Sequence, residues 1–469
     1  MIDDLKPYPA MKDSGVPWLR EVPEHWAIER LKSSMSNVIQ QTAERQSNDL
    51  YVALEHVESW TGCLRQAGSD VLFDSQVKRF RSGDVLFGKL RPYLAKVTRA
   101  TSDGVCVGEF LVLRPRVSNA TAPYMEQLLR SKPIIDAVNS STFGAKMPRA
   151  DWQFVGGMAI PFPPLPEQAA IVRFLDYVER RIQRCIRAKQ KLIKLLEEQK
   201  QAIIRRAVTR GLAPNVRLKP SGADWLGDVP VHWEVRRAKQ LFREVDIRTT
   251  TGTEVLLSLR MHSGLVPHKE VSQVPIVPSN LVGFKQVAPG QIVMNRMRAA
   301  IGMFGVVPQS GLVSPDYAVF VPGKSVEARY FLELFKTRGA GTVFRLESKG
   351  LGTGSSGFMR LYTDRFGIIK MPVPPIEEQK AIVQRIALET AKLDRALNAI
   401  TGEVDLVREY RTRLIADVVT GKLDVREVVG LLPEEGQEPE SSEDIEAAGD
   451  AEELKDDGEL GHDNVEAEA

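Results

Sequence analysis

The stretch from Pro163 to Leu212 constrains the fold of this chain more than any other. It opens on a proline run that cannot be helical, and a helical pattern begins at Glu167 and Gln168. From Ile171, steps alternating between four and three residues reach Leu175, Val178, Ile182, Cys185, Lys189, Leu192, Leu196, Gln199, Ile203 and Arg206. Eight of these eleven positions are apolar. That is a heptad seam, narrower than the stripe of an ordinary globular helix. Gly211 closes the helix and Pro214 follows it. About forty helical residues make a rod roughly 60 Å long. A single apolar seam on such a rod has to be covered by another.

The sequence supplies the cover. Pro374 to Leu423 opens on the same proline pair, with Glu378-Gln379 matching Glu167-Gln168 and Val419-Thr420 matching Val208-Thr209, at an offset of 211 throughout. Its seam runs through Ile382, Ile386, Thr390, Leu393, Leu397, Ile400, Val404, Val407, Arg411, Leu414 and Val418, nine of them apolar among eleven. Two equal-length copies in one chain are expected to pack on each other. The repeat reaches further. Ser14-Gly15, Trp18-Leu19, Val22-Pro23 and His25-Trp26 recur 207 residues later as Ser221-Gly222, Trp225-Leu226, Val229-Pro230 and His232-Trp233. The same shift maps Gly83 to Gly290, Arg91 to Arg298 and Phe110 to Tyr317, and four residues are gained between roughly 130 and 150 of the first copy.

The chain therefore divides into leader and globule 1 (1–162), central long helix (163–213), leader and globule 2 (214–373), C-terminal long helix (374–425) and a tail (426–469). The leader tryptophans are expected to pin it onto a core. Gly83–Phe87 and Glu109–Leu113 read as strands and Tyr124–Leu129 as a short helix ended by Pro133. Gly290–Met294, Asp316–Phe320 and Tyr330–Phe335 repeat that order. Both globules are expected to be α+β.

Charge is unevenly placed. The whole chain carries a net +2, but the segment from Pro433 onward holds sixteen acidic residues and one lysine, which leaves the body at +17. Such a body calls for a polyanionic partner, nucleic acid first. The acidic tail is expected to be disordered, serving either as a solubilising end or as a competitor that shields the basic surface. Three scattered cysteines (Cys63, Cys106, Cys185) speak against a disulfide framework, and no histidine pairs with cysteine at a zinc-like spacing. Without a membrane-length apolar run or a signal peptide, a cytoplasmic protein is expected.

Several motifs fail on context. Gly352-Thr353-Gly354-Ser355-Ser356-Gly357 fits a dinucleotide fingerprint as a string, but it follows no strand and opens no helix. Gly323-Lys324-Ser325 lacks the first glycine of a phosphate loop, since position 318 is Ala318. Positive charge mixed with aromatics and amides remains. In the first globule these residues are Lys78, Arg79, Arg81, Lys89, Arg91, Tyr93, Lys96, Lys146 and Arg149. In the second they are Lys285, Asn295, Arg296, Arg298, Arg345, Lys349 and Arg360. Such side chains contact phosphates, and arginine also grips guanine edges with two hydrogen bonds. Arg91 and Arg149 recur as Arg298 and Arg360, either for function or as structural residues of both copies.

Three motif sets carry a resemblance. They are the repeated Pro-x-His-Trp leader, Leu90-Arg91-Pro92-Tyr93-Leu94, and Pro-Leu-Pro-Glu-Gln at 164–168 with Pro-Ile-Glu-Glu-Gln at 375–379. In this order and duplicated, they resemble the specificity subunits of type I restriction–modification systems over residues 13 to 425. The resemblance implies two pseudo-symmetric α+β target recognition domains separated by two long antiparallel coiled-coil helices, each domain reading half of a split site on double-stranded DNA. It implies a non-catalytic subunit that carries two methyltransferase subunits and the restriction subunits. S-adenosylmethionine, ATP and Mg would be bound by those partners and no cofactor by this chain. The acidic tail departs from the family pattern. Two other readings stay open: a scaffold whose basic globules bind acidic protein or RNA, and a nucleotide-dependent activity around Gly352.

Overall fold

Each long helix starts on a proline pair and stops on a glycine. The computed structural model describes residues 5–42, 49–65, 76–116, 120–144, 147–261, 263–272, 276–351 and 358–433. In it the helices run Leu165–Arg210 and Ile376–Val419. Their first turns carry Glu167 and the pair Glu377 and Glu378, negative charge at the positive end of the helix dipole. Gly211 and Gly421 end them in the left-handed region, at φ of 75° and 77°. A Cβ on Gly421 would lie 2.3 Å from Pro23 Cδ and 3.0 Å from Trp26 Cζ3, and one on Gly211 would lie 3.2 Å from Trp233 Cζ2. Each helix end thus abuts a leader tryptophan; at Gly421 a side chain has no room, and at both glycines the left-handed backbone disfavours one. Both tryptophans, Trp26 and Trp233, are fully buried.

Contacts divide the chain into two units, Met1–Gln190 with Gly402–Ala469 and Lys191–Thr401. The division cuts both long helices, so each unit owns one globule, the first half of the helix after it and the last half of the other. In the first unit Glu179 pairs with Arg411 and Lys189 with Glu403, each at 2.5 Å. One number rises as the other falls, so the two segments are antiparallel. In the second unit Lys200 pairs with Asp394 at 2.5 Å, and a Cβ on Gly211 would lie 3.2 Å from Glu378 Oε1, which gives the same sense. Partly exposed ion pairs contribute little stability; they set the register.

The seam is buried where each helix meets its globule. Ile171, Leu175, Val178, Ile182, Ile382, Ile386, Val404 and Leu414 are all below a tenth exposed. Leu196, Ile203, Leu393, Leu397, Ile400 and Val407 are half-buried. Leu192, expected on the seam, is 44% exposed. Ile186 and Ile204 are buried where the strict pattern put Cys185 and Ile203. The reason is periodicity. An unsupercoiled helix turns 3.6 residues, and a 3.5-residue pattern drifts from it by about 20° per heptad, so the contact line slips by one residue.

The globules repeat strand by strand. In the first unit Met35–Val38, Phe110–Pro115, Val85–Gly88 and Val97–Arg99 form an antiparallel sheet in that spatial order. In the second, Phe242–Val245, Tyr317–Pro322, Ile292–Asn295 and Phe304–Val306 do the same, each 207 residues on. A second sheet in the first unit orders Gln41–Thr42, Val77–Phe80, Gly104–Cys106 and Leu50–Val52, the last pair parallel. In the second unit Lys285–Val287 pairs with Gly311–Val313, and its flanking neighbours are reduced to the bridges Arg248 to Lys285 and Leu256 to Leu312. Pro133 does not simply stop the helix Ala122–Arg130; it lies in the first turn of the next one, Lys132–Ser140. The packing differs while the frame stays. Met35, Val97, Leu113 and Val155 of the first core correspond by the repeat to Phe242, Phe304, Phe320 and Phe366. Those four phenylalanines stack on one another with Phe335 and Phe344 in tilted and edge contacts.

The duplicated motifs of the sequence meet in space. His25 Nε2 lies 2.8 Å from Glu167 Oε2, and His232 Nε2 lies 2.9 Å from Glu378 Oε2. Gln168 donates to the Pro163 carbonyl and accepts from Thr121 N–H at 3.0 Å; Gln379 donates to the Pro374 carbonyl and accepts from Glu327 N–H at 2.8 Å. Tyr124 donates to the Val419 carbonyl at 3.2 Å and Tyr330 to the Val208 carbonyl at 2.8 Å. Leader, globule and two helix ends are thereby tied at one buried joint in each unit. The first unit adds to this joint a bond from the segment after the second long helix to the leader, for Asp424 N–H donates to the Lys6 carbonyl at 2.8 Å.

Candidate nucleic-acid interface

In the first unit the loop after strand Val85–Gly88 turns on two residues in left-handed conformations, Arg91 at φ 50° and Ala95 at φ 48°. Such geometry is unfavourable for side-chain-bearing residues and is held by its surroundings. Arg91 N–H donates to the Pro148 carbonyl at 2.8 Å, Ala150 N–H to the Lys89 carbonyl at 2.8 Å, and Leu90 bridges to Arg149. Arg149 also bridges to Phe143. The result is one small surface: Arg91 and Arg149 exposed, Lys89 half-buried, with Tyr93, Phe143 and Met147 exposed at 45%, 75% and 48%. Cations and exposed aromatics side by side are the composition that phosphates and bases engage.

The second unit builds the same frame. Leu361 N–H donates to the Arg296 carbonyl at 2.9 Å, the counterpart of the Ala150 to Lys89 bond. The bridge of Phe143 to Arg149 becomes the hairpin Lys349–Leu351 with Phe358–Arg360, where the four extra residues of the second copy fall. Arg345 lies in the last turn of the helix Arg338–Glu347 that leads into it, and Arg345, Lys349, Met297 and Met359 are exposed. Asn295 turns inward, its Oδ1 accepting from Met297 N–H at 3.0 Å and Arg298 N–H at 3.2 Å. Arg298 itself is half-buried.

A carboxylate that sequence reasoning missed sits beside the recurring arginine in both copies. Glu109 holds Arg149 by two bonds of 3.2 Å, and Asp316 holds Arg360 at 3.0 Å. Glu109 and Asp316 are themselves 207 apart, a signal present in the repeat. Arg149 and Arg360 are therefore aimed by a partner in both copies.

Not every sequence-predicted residue reaches this surface. Lys285 is 1% exposed, with Nζ 3.5 Å from Asp246, and is removed from the set of contacting residues. Burial, then the Arg296 cation, holds its pKa below the ordinary lysine value. Its counterpart Lys78 donates to the Phe110 carbonyl at 2.7 Å, and burial, then Lys89, lowers its pKa too. Lys285 is buried beneath the surface and Lys78 is half-buried. Arg79 is taken by two bonds to buried Asp49, Lys96 donates to the Leu54 carbonyl at 2.7 Å, and Arg296 pairs with Glu244 at 2.7 Å. Arg81 is exposed on the turn after strand Val77–Phe80, and no hydrogen bond joins it to the Arg91 surface among the described residues. Lys146 and the Gly352–Gly357 string lie outside the described residues.

Known proteins resemble the chain in sequence and in fold. No family model matches the chain. A putative type I restriction enzyme specificity subunit, MjaX of Methanocaldococcus jannaschii, is 21% identical over 440 residues, 87% of this chain and 95% of that protein. The EcoDI specificity subunit of Escherichia coli is 27% identical over 146 residues, 29% of this chain and 32% of that protein. A solved chain described under complex assembly and conformational transition of the type I R-M system superposes with a TM-score of 0.61 at 18% identity, over 86% of this chain and 99% of that one. The chain resembles type I specificity subunits. The resemblance is to the whole architecture, two α+β globules and two long helices, and not to a single motif. No helix among the described residues is long and apolar enough to cross a membrane.

Proposed function

We propose that this chain is the DNA sequence-recognition subunit of a type I restriction–modification complex. Each globule reads one half of a bipartite, asymmetric site on double-stranded DNA. The observation that carries the reading is a frame built twice with unlike surfaces. The Glu109–Arg149 and Asp316–Arg360 brackets match, while Tyr93, Phe143 and Met147 give way to Met297, Met359 and Arg345 around them. Equal frames fix two equivalent footholds on a duplex; unequal side chains read different bases. The antiparallel helices then act as a spacer whose length sets the distance between half-sites.

The chain itself is non-catalytic in this reading. Methyl transfer from S-adenosylmethionine and ATP- and Mg-dependent cleavage belong to partner subunits, two methyltransferase subunits docking on the two similar faces that a repeat provides. A base to be methylated has to leave the stack, so the bound duplex is opened around it. The names of the relatives and the solved complex support this reading. The test is duplex binding by the chain with its methyltransferase at several salt concentrations. Lys89→Ala with Arg91→Ala should weaken binding and lower the log–log salt slope by about 2, since two phosphate charges are no longer neutralised. Unchanged affinity at every salt concentration would take this surface out of the interface.

A further inference from the structure

A guanidinium carries its N–H donors on a planar fork, and Arg149 uses one side of that fork within the protein. Nε donates to Glu109 Oε2 and Nη2 to Glu109 Oε1, both at 3.2 Å. The side-on grip takes Nε–H and the inner N–H of Nη2. The Arg149 side chain is half exposed, and among the described residues no hydrogen bond takes the outer end of the fork, Nη1 with the outer N–H of Nη2. Backbone bonds hold the grip in place. Lys89 N–H donates to the Glu109 carbonyl at 2.9 Å, Ala150 N–H to the Lys89 carbonyl at 2.8 Å, and Arg149 and Phe143 exchange bonds of 3.2 and 3.3 Å. Arg360 is set in a similar way. Its Nη2 donates to Asp316 Oδ1 at 3.0 Å, its guanidinium lies 5.6 Å from the centroid of the Tyr362 ring, and its backbone pairs with Lys349. Its Nε is buried, so donation outward is left to the Nη end.

The carboxylate decides what the outer end can bind. Arginine and glutamate together are neutral, and a phosphate brought to Arg149 also meets Glu109, a like charge. Lys89 and Arg91 on the same surface pair with no carboxylate among the described residues and suit phosphate better. A base edge bears no net charge, so it approaches the pair without that repulsion. Of the edges in the major groove, guanine offers two acceptors side by side, O6 and N7. Adenine offers an acceptor and a donor, thymine one acceptor and cytosine a donor, so only guanine matches the two N–H groups of an end-on fork. We propose that Arg149 and Arg360 each read one guanine in the major groove, with Glu109 and Asp316 as the positioning residues that aim them. This rests on the DNA-recognition reading above and adds a base to it: the half-sites, unlike elsewhere, share a G·C pair where the two brackets reach.

The test uses the full chain with its methyltransferase, on duplexes carrying the motif that the pair methylates. Indifference to sequence in the unaltered complex would remove the DNA-recognition reading itself. Each guanine of the motif is then replaced in turn by 7-deazaguanine, which lacks the N7 acceptor. One replacement in one half-site should weaken binding about fivefold or more, and should cost nothing further in Arg149→Lys, which keeps the charge but not the fork. One replacement in the other half-site should answer to Arg360→Lys in the same way. Each variant carries its own folding control, since preference at the other half-site should persist. Glu109→Gln alone should cut the guanine preference severalfold at that one position. Glu109→Gln with Arg149→Gln removes both charges, and should abolish the preference with the log–log salt slope unchanged. A half-site without a G·C pair, or replacement losses that are absent or persist in full in the Arg→Lys variants, would overturn the proposal and leave the recognition reading standing. So would a salt slope that falls by about 1 in the double variant with base preference intact, the sign of a phosphate contact. A match at one half-site alone would overturn it for the other bracket.

Discussion

Gly421 has neither the conformation nor the room for a side chain. Its positive φ disfavours any L-residue by about 1–2 kcal/mol, and a methyl group would overlap Pro23. Gly421→Ala should lower stability by about 2 kcal/mol or more in denaturant unfolding, while Gly402→Ala, at a helical site with nothing near its Cβ position, should be neutral or stabilising. Glu333 gives a pH-dependent counterpart. Burial raises its carboxyl pKa, with Asp394 adding to the rise and Lys336 and Lys200 opposing it. The folded state then holds the proton more tightly than the unfolded one, so this group's contribution falls as pH rises from about 4.3 through the folded pKa. Glu333→Gln should raise stability at pH 7, and the gain should shrink towards pH 4; thermal unfolding across that range checks it. At this scale the sequence was only partly readable. Lys285 stands two residues before buried Val287 on one strand, so strand alternation put it on the inward face. The Arg79–Asp49 pair spans thirty residues and left no local sign.

Among elements, the two long helices, their near-equal lengths of 46 and 44 residues and their proline and glycine boundaries follow from residue types whose backbone preferences are local. The sheets were legible only as single strands. Which strand lies beside which depends on contacts far apart in sequence, such as the parallel pairing of Leu50–Val52 with Gly104–Cys106. The repeat recovered part of this, because a 207-residue shift predicts that whatever one globule does the other will do. The seam was legible in its phase near the helix ends and drifted in between. That drift has a direct test. Ile186→Ala should cost about 2–4 kcal/mol by opening a cavity, whereas Leu192→Ala, at 44% exposure, should change stability by less than about 1 kcal/mol. The reverse ranking in denaturant titrations would restore the strict heptad pattern.

For the molecule as a whole, the proposed function assigns two unlike reading surfaces to two globules, each packed with long-helix segments that run antiparallel within its unit. Contacts assign each half-helix to a unit, a division no local sequence signal marks, since neither Gln190 nor Thr401 interrupts its helix. Helix length is then a coupled quantity. Shortening Leu165–Arg210 and Ile376–Val419 by two matched turns each should alter the gap between half-sites and leave the half-site bases unchanged. The most direct measurement is genome-wide mapping of methylated bases in cells that express this chain with its methyltransferase partner. Two unlike readers on one spacer predict a single motif made of two different half-sites separated by a fixed run of unspecified bases. A continuous motif, a palindrome, or methylation without sequence preference would contradict it.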